Sequence, residues 1–243
     1  MNRFTLTERI CVSIGVKTIK ELSSSINKAL ELSCFLEIRF DYLDQLDIPS
    51  SLKIIESIKS RSVFTLRSRE QHGKFNGTEF ERLKILKMLY DANPMLLDVE
   101  YDTISTDHSL NDYLKDKSNV LISWHNFFNT PSNEYLEKKI YEMKRFSNNI
   151  KLVTMATTIK DSFKLLNLYD KFKDSNLIAF AMGDYGIISR ILCTFYGSSA
   201  FTYASLEQSI APGQLSVIEM RRIYERINKY FLDNVITLSL IHI

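Results

Sequence analysis

The sequence predicts an α/β protein built as one (β/α)8 barrel of the TIM type, a single domain over residues 1–243. Three observations predict it. Short β-branched or apolar runs alternate with longer amphipathic, Lys/Glu-rich runs, on a rhythm of about 25 residues, which implies a parallel sheet. The alternation recurs eight times in 243 residues, a length at which such barrels close as one domain. Only four prolines and seven glycines interrupt the chain, and no linker-like or low-complexity stretch marks a boundary. An open doubly wound sheet shares the alternation; eight repeats in one domain favour closure.

In chain order, the first strand is read at Ile10–Ile14, followed by a helix over Lys17–Leu32 with apolar residues at helical spacing. The second strand, Phe35–Asp41, leads to a shorter helix near Leu52–Ile58. The third, Val63–Arg67, precedes the helix Glu79–Tyr90. The fourth, Met95–Tyr101, precedes a short helix at Leu110–Leu114. The fifth, Val120–His125, is paired with Asn133–Phe146, and the sixth, Ile150–Met155, with Ile159–Phe172. The seventh, Leu177–Met182, leads to a short helix at Tyr185–Phe195. The eighth, Ala200–Tyr203, is followed by Leu215–Phe231.

Composition narrows the functional classes. Hydrophobic residues make up 45% of the chain, enough for a substantial core, and 31 Lys and Arg against 29 Asp and Glu leave a net charge of +2. The basic residues form no dense block, so neither nucleic acid nor an anionic membrane is expected as a partner. Met1–Arg9 has no apolar run of the signal-peptide kind, and the apolar tail Ile236–Ile243 is far shorter than a membrane span. Cys11, Cys34 and Cys193 are dispersed; such a sparse, odd set reads as reduced thiols of a soluble cytoplasmic protein. His72, His108 and His242 fall in loops or the tail and share no ligand spacing with the cysteines, so no metal is expected.

The strands carry charge where a core strand should be apolar. Successive strand residues face opposite sides. In Phe35–Asp41 this puts Glu37, Arg39 and Asp41 on one face and Leu36, Ile38 and Phe40 on the other. Asp98 shares a face with Glu100, Thr65 with Arg67, Leu121 with Ser123 and His125, and Lys151 with Val153 and Met155. In a barrel the apolar faces meet the helices, so the charged faces point inward. Buried charges must then pair or bind something charged. Four acids (Glu37, Asp41, Asp98, Glu100) balance four cations (Arg39, Arg67, Lys151, Arg190), mostly near strand C-termini, where barrel enzymes keep their sites. Any one such strand also fits the solvated side of an antiparallel sheet.

These segments resemble, in order, the motifs of the type I 3-dehydroquinate dehydratases. EIRFDYL (Glu37–Leu43) resembles the family's E-x-R-x-D strand, FTLRS (Phe64–Ser68) its F-T-x-R, and LLDVEY (Leu96–Tyr101) its D-x-E. SWHNF (Ser123–Phe127) resembles the segment carrying the catalytic histidine, and IKLVTMA (Ile150–Ala156) the one carrying the Schiff-base lysine. AMGDYGIISR (Ala181–Arg190) and APGQLS (Ala211–Ser216) resemble the family's last two motifs. The resemblance covers strands two to eight. It implies a homodimeric hydro-lyase of the shikimate pathway, in aromatic amino acid biosynthesis, that needs no metal or other cofactor.

It also implies residue roles. Lys151 is the expected nucleophile, forming a Schiff base with 3-dehydroquinate, its amine activated by partial burial near Arg39, Arg67 and Arg190. His125 is expected to take and return the protons of a syn elimination. Arg190 and Gln214 are expected to hold the substrate carboxylate. Glu37, Arg39, Arg67 and Ser13 are expected at the ring hydroxyls, with Asp98, Glu100, Met182 and Tyr203 in support. Two positions depart from the pattern. Gln71, beside Glu70, stands where the family has the glutamate expected to orient the histidine, and Ile210 precedes Ala211 where a serine is common, with Ser209 next to it. Glu207–Ala211 is the expected lid. Taken without the resemblance, Lys151 also reads as a frayed strand end, His125 as structural and Arg190 as a surface helix residue. Another Schiff-base barrel such as a class I aldolase, or a non-catalytic metabolite-binding barrel, are the competing functions.

Overall fold

The computed structural model describes residues 5–196 and 200–241, with side chains as far as Tyr230. His242 and the side chains of the tail Ile236–Ile243 lie outside the described residues. The strands are β1 (Ile10–Ile14), β2 (Phe35–Arg39), β3 (Ser62–Thr65), β4 (Leu96–Glu100), β5 (Val120–Asn126), β6 (Asn149–Met155), β7 (Asn176–Met182) and β8 (Thr202–Ser205). Around them lie α1 (Ile19–Leu30), α2 (Ile48–Ile55), α3 (Glu79–Asp91), α4 (Tyr101–Thr106), α5 (His108–Leu114), α6 (Asn133–Met143), α7 (Ile159–Lys171), α8 (Ile187–Leu192) and α9 (Val217–Ile241). All ladders are parallel, in the order β7-β6-β5-β4-β3-β2-β1-β8. Among the described residues no helix is long and apolar enough to cross a membrane.

Local chemistry sets the helix starts. Thr18 accepts a hydrogen bond from the Glu21 backbone N–H, and the Glu21 carboxylate accepts one from the Thr18 N–H; Thr78 and Glu81 repeat this at α3. These reciprocal caps satisfy N–H groups that a helix leaves free. At α2, Asp47 caps Ser50. The helix therefore begins at Ile48, ahead of the expected Leu52, with Pro49 in its first turn, where its missing N–H costs nothing.

Several strands end earlier than the alternation suggests. β2 stops at Arg39, because the chain winds into a 3-10 turn at Phe40–Tyr42 that carries Asp41 back onto the Arg39 guanidinium. β3 stops at Thr65, and Tyr101 already belongs to α4. The expected helix over Tyr185–Phe195 divides into two 3-10 turns flanking α8. β8 lies two residues later than expected.

The barrel is open along one seam. β7 and β8 share no ladder, yet β7 does not expose an unpaired edge. The Tyr169 hydroxyl, on α7, accepts from the Ala179 N–H and donates to the Ala179 carbonyl, and the Ser189 hydroxyl accepts from the Ala181 N–H. α8 thereby fills the place of a β8 ladder, and its Arg190 carbonyl accepts from Thr202 on β8. Above the seam Gly183 donates to Pro212, and Gly213 (φ +68°) packs so closely that a Cβ there would lie 2.5 Å from the Gly183 carbonyl oxygen. Only glycine fits such an approach. Ser189→Ala leaves a buried N–H without a partner, so it is expected to cost about 1–3 kcal/mol, read as a lowered midpoint in urea unfolding.

Candidate active site

Alternation along the strands delivers the inward face that the sequence predicts. Ser13 (β1), Glu37 and Arg39 (β2), His125 (β5), Lys151, Val153 and Met155 (β6), Phe180 and Met182 (β7) and Tyr203 (β8) line one cavity of about 360 Å³. Loops complete it with Arg67, Gln71, His72, Phe127, Ile210, Ala211, Pro212 and Gln214, and α8 with Arg190. The cavity opens at the C-terminal ends of the strands. Among the described residues, no group of three His, Cys, Asp or Glu could hold a metal ion.

At the floor, Lys151 is 6% exposed. Its Nζ lies 3.2 Å from Asp98 Oδ2 and 3.4 Å from Glu37 Oε1, and sits over the Tyr203 ring at 4.1 Å. The amine was expected to be flanked by arginines. Its immediate charged partners are instead carboxylates, because the arginines that could crowd it are themselves held. Arg67 Nη2 lies 2.9 Å from Asp98 Oδ2 and Arg39 grips Asp41. Ser13 and Thr65 donate to Glu37, and Ser123 donates to Asp98 while accepting from Arg67. Burial works against the Glu37 and Asp98 carboxylates. Lys151 with Arg39 at Glu37, and Arg67 with Lys151 at Asp98, outweigh it and hold both below their ordinary pKa.

Glu100 lies behind this floor. It accepts from the Ser68 N–H and from Thr103, pairs with Arg82 at 2.7 Å, and stands 3.6 Å from Arg67. Arg82 reaches in from α3, is 2% exposed, and also holds Glu79.

His125 has no hydrogen-bond partner for its Nδ1, which is enclosed by protein; Nε2 is left toward the cavity. Burial, then Arg67 and Lys151, push its pKa well below the ordinary imidazole value. The ring is therefore neutral near pH 7 and able to take a proton.

Arg190 is the cavity cation without an acidic partner: among the described residues no carboxylate lies within ion-pair distance. It donates to the Pro212 carbonyl, lies over the Phe180 ring, and has an unpartnered Nε. Burial lowers its pKa to about 10. Gln214, two residues after Pro212, lines the same cavity and accepts from the Ile210 N–H. A guanidinium buried at this cost is matched to an anion from outside.

Two neighbours resolve differently from the sequence expectations. Glu70 is exposed and does not line the cavity; the turn of residues 68–73 points it away. Gln71 lines the cavity and donates through Nε2 to Asp102. Ser209 turns its hydroxyl onto the Ala211 carbonyl, and Ile210 faces the cavity in its place. Sequence reasoning missed His72, Phe127 and Phe180. Phe180 was accessible, being two residues from Met182 on one strand face. His72 was set aside as a loop residue; its positive φ of 59° and its ring contact with Phe127 at 4.1 Å are visible only in the fold.

Comparison with known proteins identifies the family and the fold. The family model described as Type I 3-dehydroquinase matches residues 10–230. The 3-dehydroquinate dehydratase of Dehalococcoides mccartyi (strain ATCC BAA-2266 / KCTC 15142 / 195) is 38% identical over 204 residues, covering 83% of this chain and 89% of that one. That of Thermococcus onnurineus (strain NA1) is 30% identical over 214 residues, covering 87% and 96%. The crystal structure of the 3-dehydroquinate dehydratase from Aquifex aeolicus VF5 superposes with a TM-score of 0.72 at 27% identity, covering 89% and 97%. The one from Geobacillus kaustophilus HTA426, at 22% identity, shares the fold with a TM-score of 0.78 over 92% of each chain. Matched along almost the whole barrel, in sequence and in fold, the chain belongs to the type I 3-dehydroquinase family, whose members are hydro-lyases.

Proposed function

We propose that this chain converts 3-dehydroquinate to 3-dehydroshikimate and water by a syn elimination through a Schiff base on Lys151. One observation carries the reading: a buried lysine amine, a neutral imidazole and an arginine without a carboxylate partner share one small cavity.

In the first step the Lys151 amine adds to the substrate ketone, and loss of water from the carbinolamine gives an iminium. Lys151 attacks as the free amine; neutral His125 takes its proton and passes it to the carbinolamine hydroxyl, which leaves as water, so the imidazole is neutral again before the next step. The iminium withdraws electrons from the adjacent carbon. His125 Nε2 removes a proton there, giving an enamine. The enamine pushes out the β-hydroxyl, which leaves as water with the proton that His125 returns. Hydrolysis of the new iminium frees Lys151. One imidazole on one face of the ring serves both transfers, which suits a syn course.

Arg190 would hold the substrate carboxylate, with the Gln214 amide beside it. Glu37, Arg39, Arg67 and Ser13 would contact the ring hydroxyls, and Met182 and Tyr203 would pack against the ring. Asp98 and Glu100 would fix Lys151 and Arg67 in place. The homodimeric state belongs to the same reading and is checked by sedimentation.

Four measurements test it. Borohydride reduction with 3-dehydroquinate is expected to leave a substrate-derived adduct on the peptide containing Lys151, seen by mass spectrometry, and Lys151→Met to abolish both adduct and turnover. Full turnover in that variant would falsify the reading. His125→Ala is expected to slow turnover by roughly 10²–10⁴-fold while the adduct still forms. Because the neutral ring is the base and its pKa is lowered, kcat/KM should hold as pH falls past about 6.5 and drop only below it; an acid limb centred above that value contradicts the assignment. Arg190→Gln should raise KM roughly 10- to 100-fold, matching the ~1.5–3 kcal/mol of charge-assisted hydrogen bonds. An unchanged KM removes Arg190 from the carboxylate.

A further inference from the structure

We propose that Asp102 is the positioning residue of His125, acting through the carboxamide of Gln71. The inference rests on His125 being the proton-transfer group, and adds what sets the tautomer of its ring.

Four polar atoms in the cavity wall are enclosed and unpartnered: His125 Nδ1, Gln71 Oε1, Arg190 Nε and the Tyr203 hydroxyl. A neutral imidazole that accepts a proton through Nε2 carries its hydrogen on Nδ1. That N–H needs an acceptor, and Gln71 Oε1 is an acceptor without a donor. The two residues lie on adjoining parts of the wall. The Phe127 ring packs nearly parallel to His125, at 5.7 Å and 13°, and also against His72, the residue after Gln71, at 4.1 Å. Of the other two, Arg190 Nε can only donate, and the Tyr203 hydroxyl belongs to the β8 side chain whose ring lies under Lys151.

The two atoms do not bond each other in the structure, and Asp102 decides which end of the Gln71 amide is left free for His125. Gln71 Nε2 donates to Asp102 Oδ2 at 2.9 Å. An ionised carboxylate only accepts, so it takes the NH2 end and turns Oε1 the other way. With the amide reversed, an N–H would face Nδ1 and favour the tautomer that carries hydrogen on Nε2, which cannot act as a base. The turn holding Gln71 is rigid: its N–H and that of Gly73 both donate to the Ser68 carbonyl, and the Ser68 N–H is held by Glu100. A Cβ on Gly73 would fall 2.1 Å from the Arg67 carbonyl oxygen. The negative charge that orients the histidine thus sits one side chain further out, on the exposed first turn of α4.

Asp102→Asn tests this without changing size. An asparagine both donates and accepts, so it no longer dictates the amide's orientation. The expected result is a kcat lowered roughly tenfold with KM within about twofold, and with the Lys151 adduct still trapped by borohydride. Gln71→Leu should fall at least as far, and the double variant no further than Gln71→Leu alone. Nitrogen-15 NMR of the His125 ring should report hydrogen on Nδ1 in the parent and a mixed tautomer in Asp102→Asn, a change that a merely structural Asp102 would not produce. Gln71→Glu, which puts the charge directly on the ring among Arg67, Lys151, Asp98 and Arg39, should raise the acid limb of kcat/KM by about one unit. A kcat within twofold of the parent in Asp102→Asn, an unchanged tautomer, or losses that multiply in the double variant would each overturn the proposal. An intact rate in His125→Ala would instead overturn the reading of the site on which it rests.

Discussion

The contact on which the rest of the site depends is the Lys151 ammonium held between Glu37 and Asp98. All three side chains are almost wholly buried. An ammonium or a carboxylate alone at that depth would cost several kcal/mol, and removing one member strands the others. The balance therefore extends outward. Asp98 needs Arg67 and Ser123, Glu37 needs Ser13 and Thr65, and Arg67 leans on Glu100, which Arg82 holds from the helix side. Six strands, β1 to β6, contribute to this chain of partners. The register that aligns Glu100 with Ser123 and Ser123 with Lys151 keeps it on one level of the barrel.

Much of this was legible in the sequence for a simple reason. A strand has a period of two, so Glu37 with Arg39 and Asp98 with Glu100 could be assigned to one face before any fold was known. Which carboxylate meets which cation was not legible, because pairing across a barrel joins residues far apart in sequence. Glu37 and Lys151 are the example. Arg82 was invisible for the opposite reason. It lies in an amphipathic helix, where an arginine ordinarily faces water, and only the presence of Glu100 beneath α3 draws it inside. The strand ends misjudged at Asp41 and Arg67 fail similarly: Arg67 reaches the cavity and Asp41 reaches Arg39, each from a turn that begins where the ladder stops.

The open seam between β7 and β8 is the structural counterpart of Arg190, the cavity cation that no described carboxylate pairs. A continuous ladder there would leave no room for α8 to sit against the β7 edge. Because Tyr169 and Ser189 satisfy that edge instead, α8 packs directly on the sheet and carries Arg190 into the cavity wall. The close contact of Gly183 and Gly213 brings the Pro212 carbonyl to the same guanidinium. Sequence reading placed Arg190 in a helix after the seventh strand but could not tell a surface position from a buried one.

Four acids and four cations balance in number, yet not in space. The acids all lie on β2 and β4 or just beyond them, and Arg39, Arg67 and Lys151 lie with them. Arg190 stands apart at the seam, so that wall is positive while the β2–β4 side is nearly neutral. A low-dielectric cavity magnifies such an asymmetry. On the reading proposed here, that asymmetry orients the substrate before any chemistry. The carboxylate is drawn to the seam, and a ring of fixed size then brings its ketone toward Lys151 on β6 and its acidic C–H toward His125 on β5. Orientation of this sort fixes a near-attack geometry in advance, which is where much of an enzyme's barrier reduction lies. Burying a guanidinium that no described carboxylate pairs costs the barrel stability, and the same unmet charge is what gives the cavity its direction.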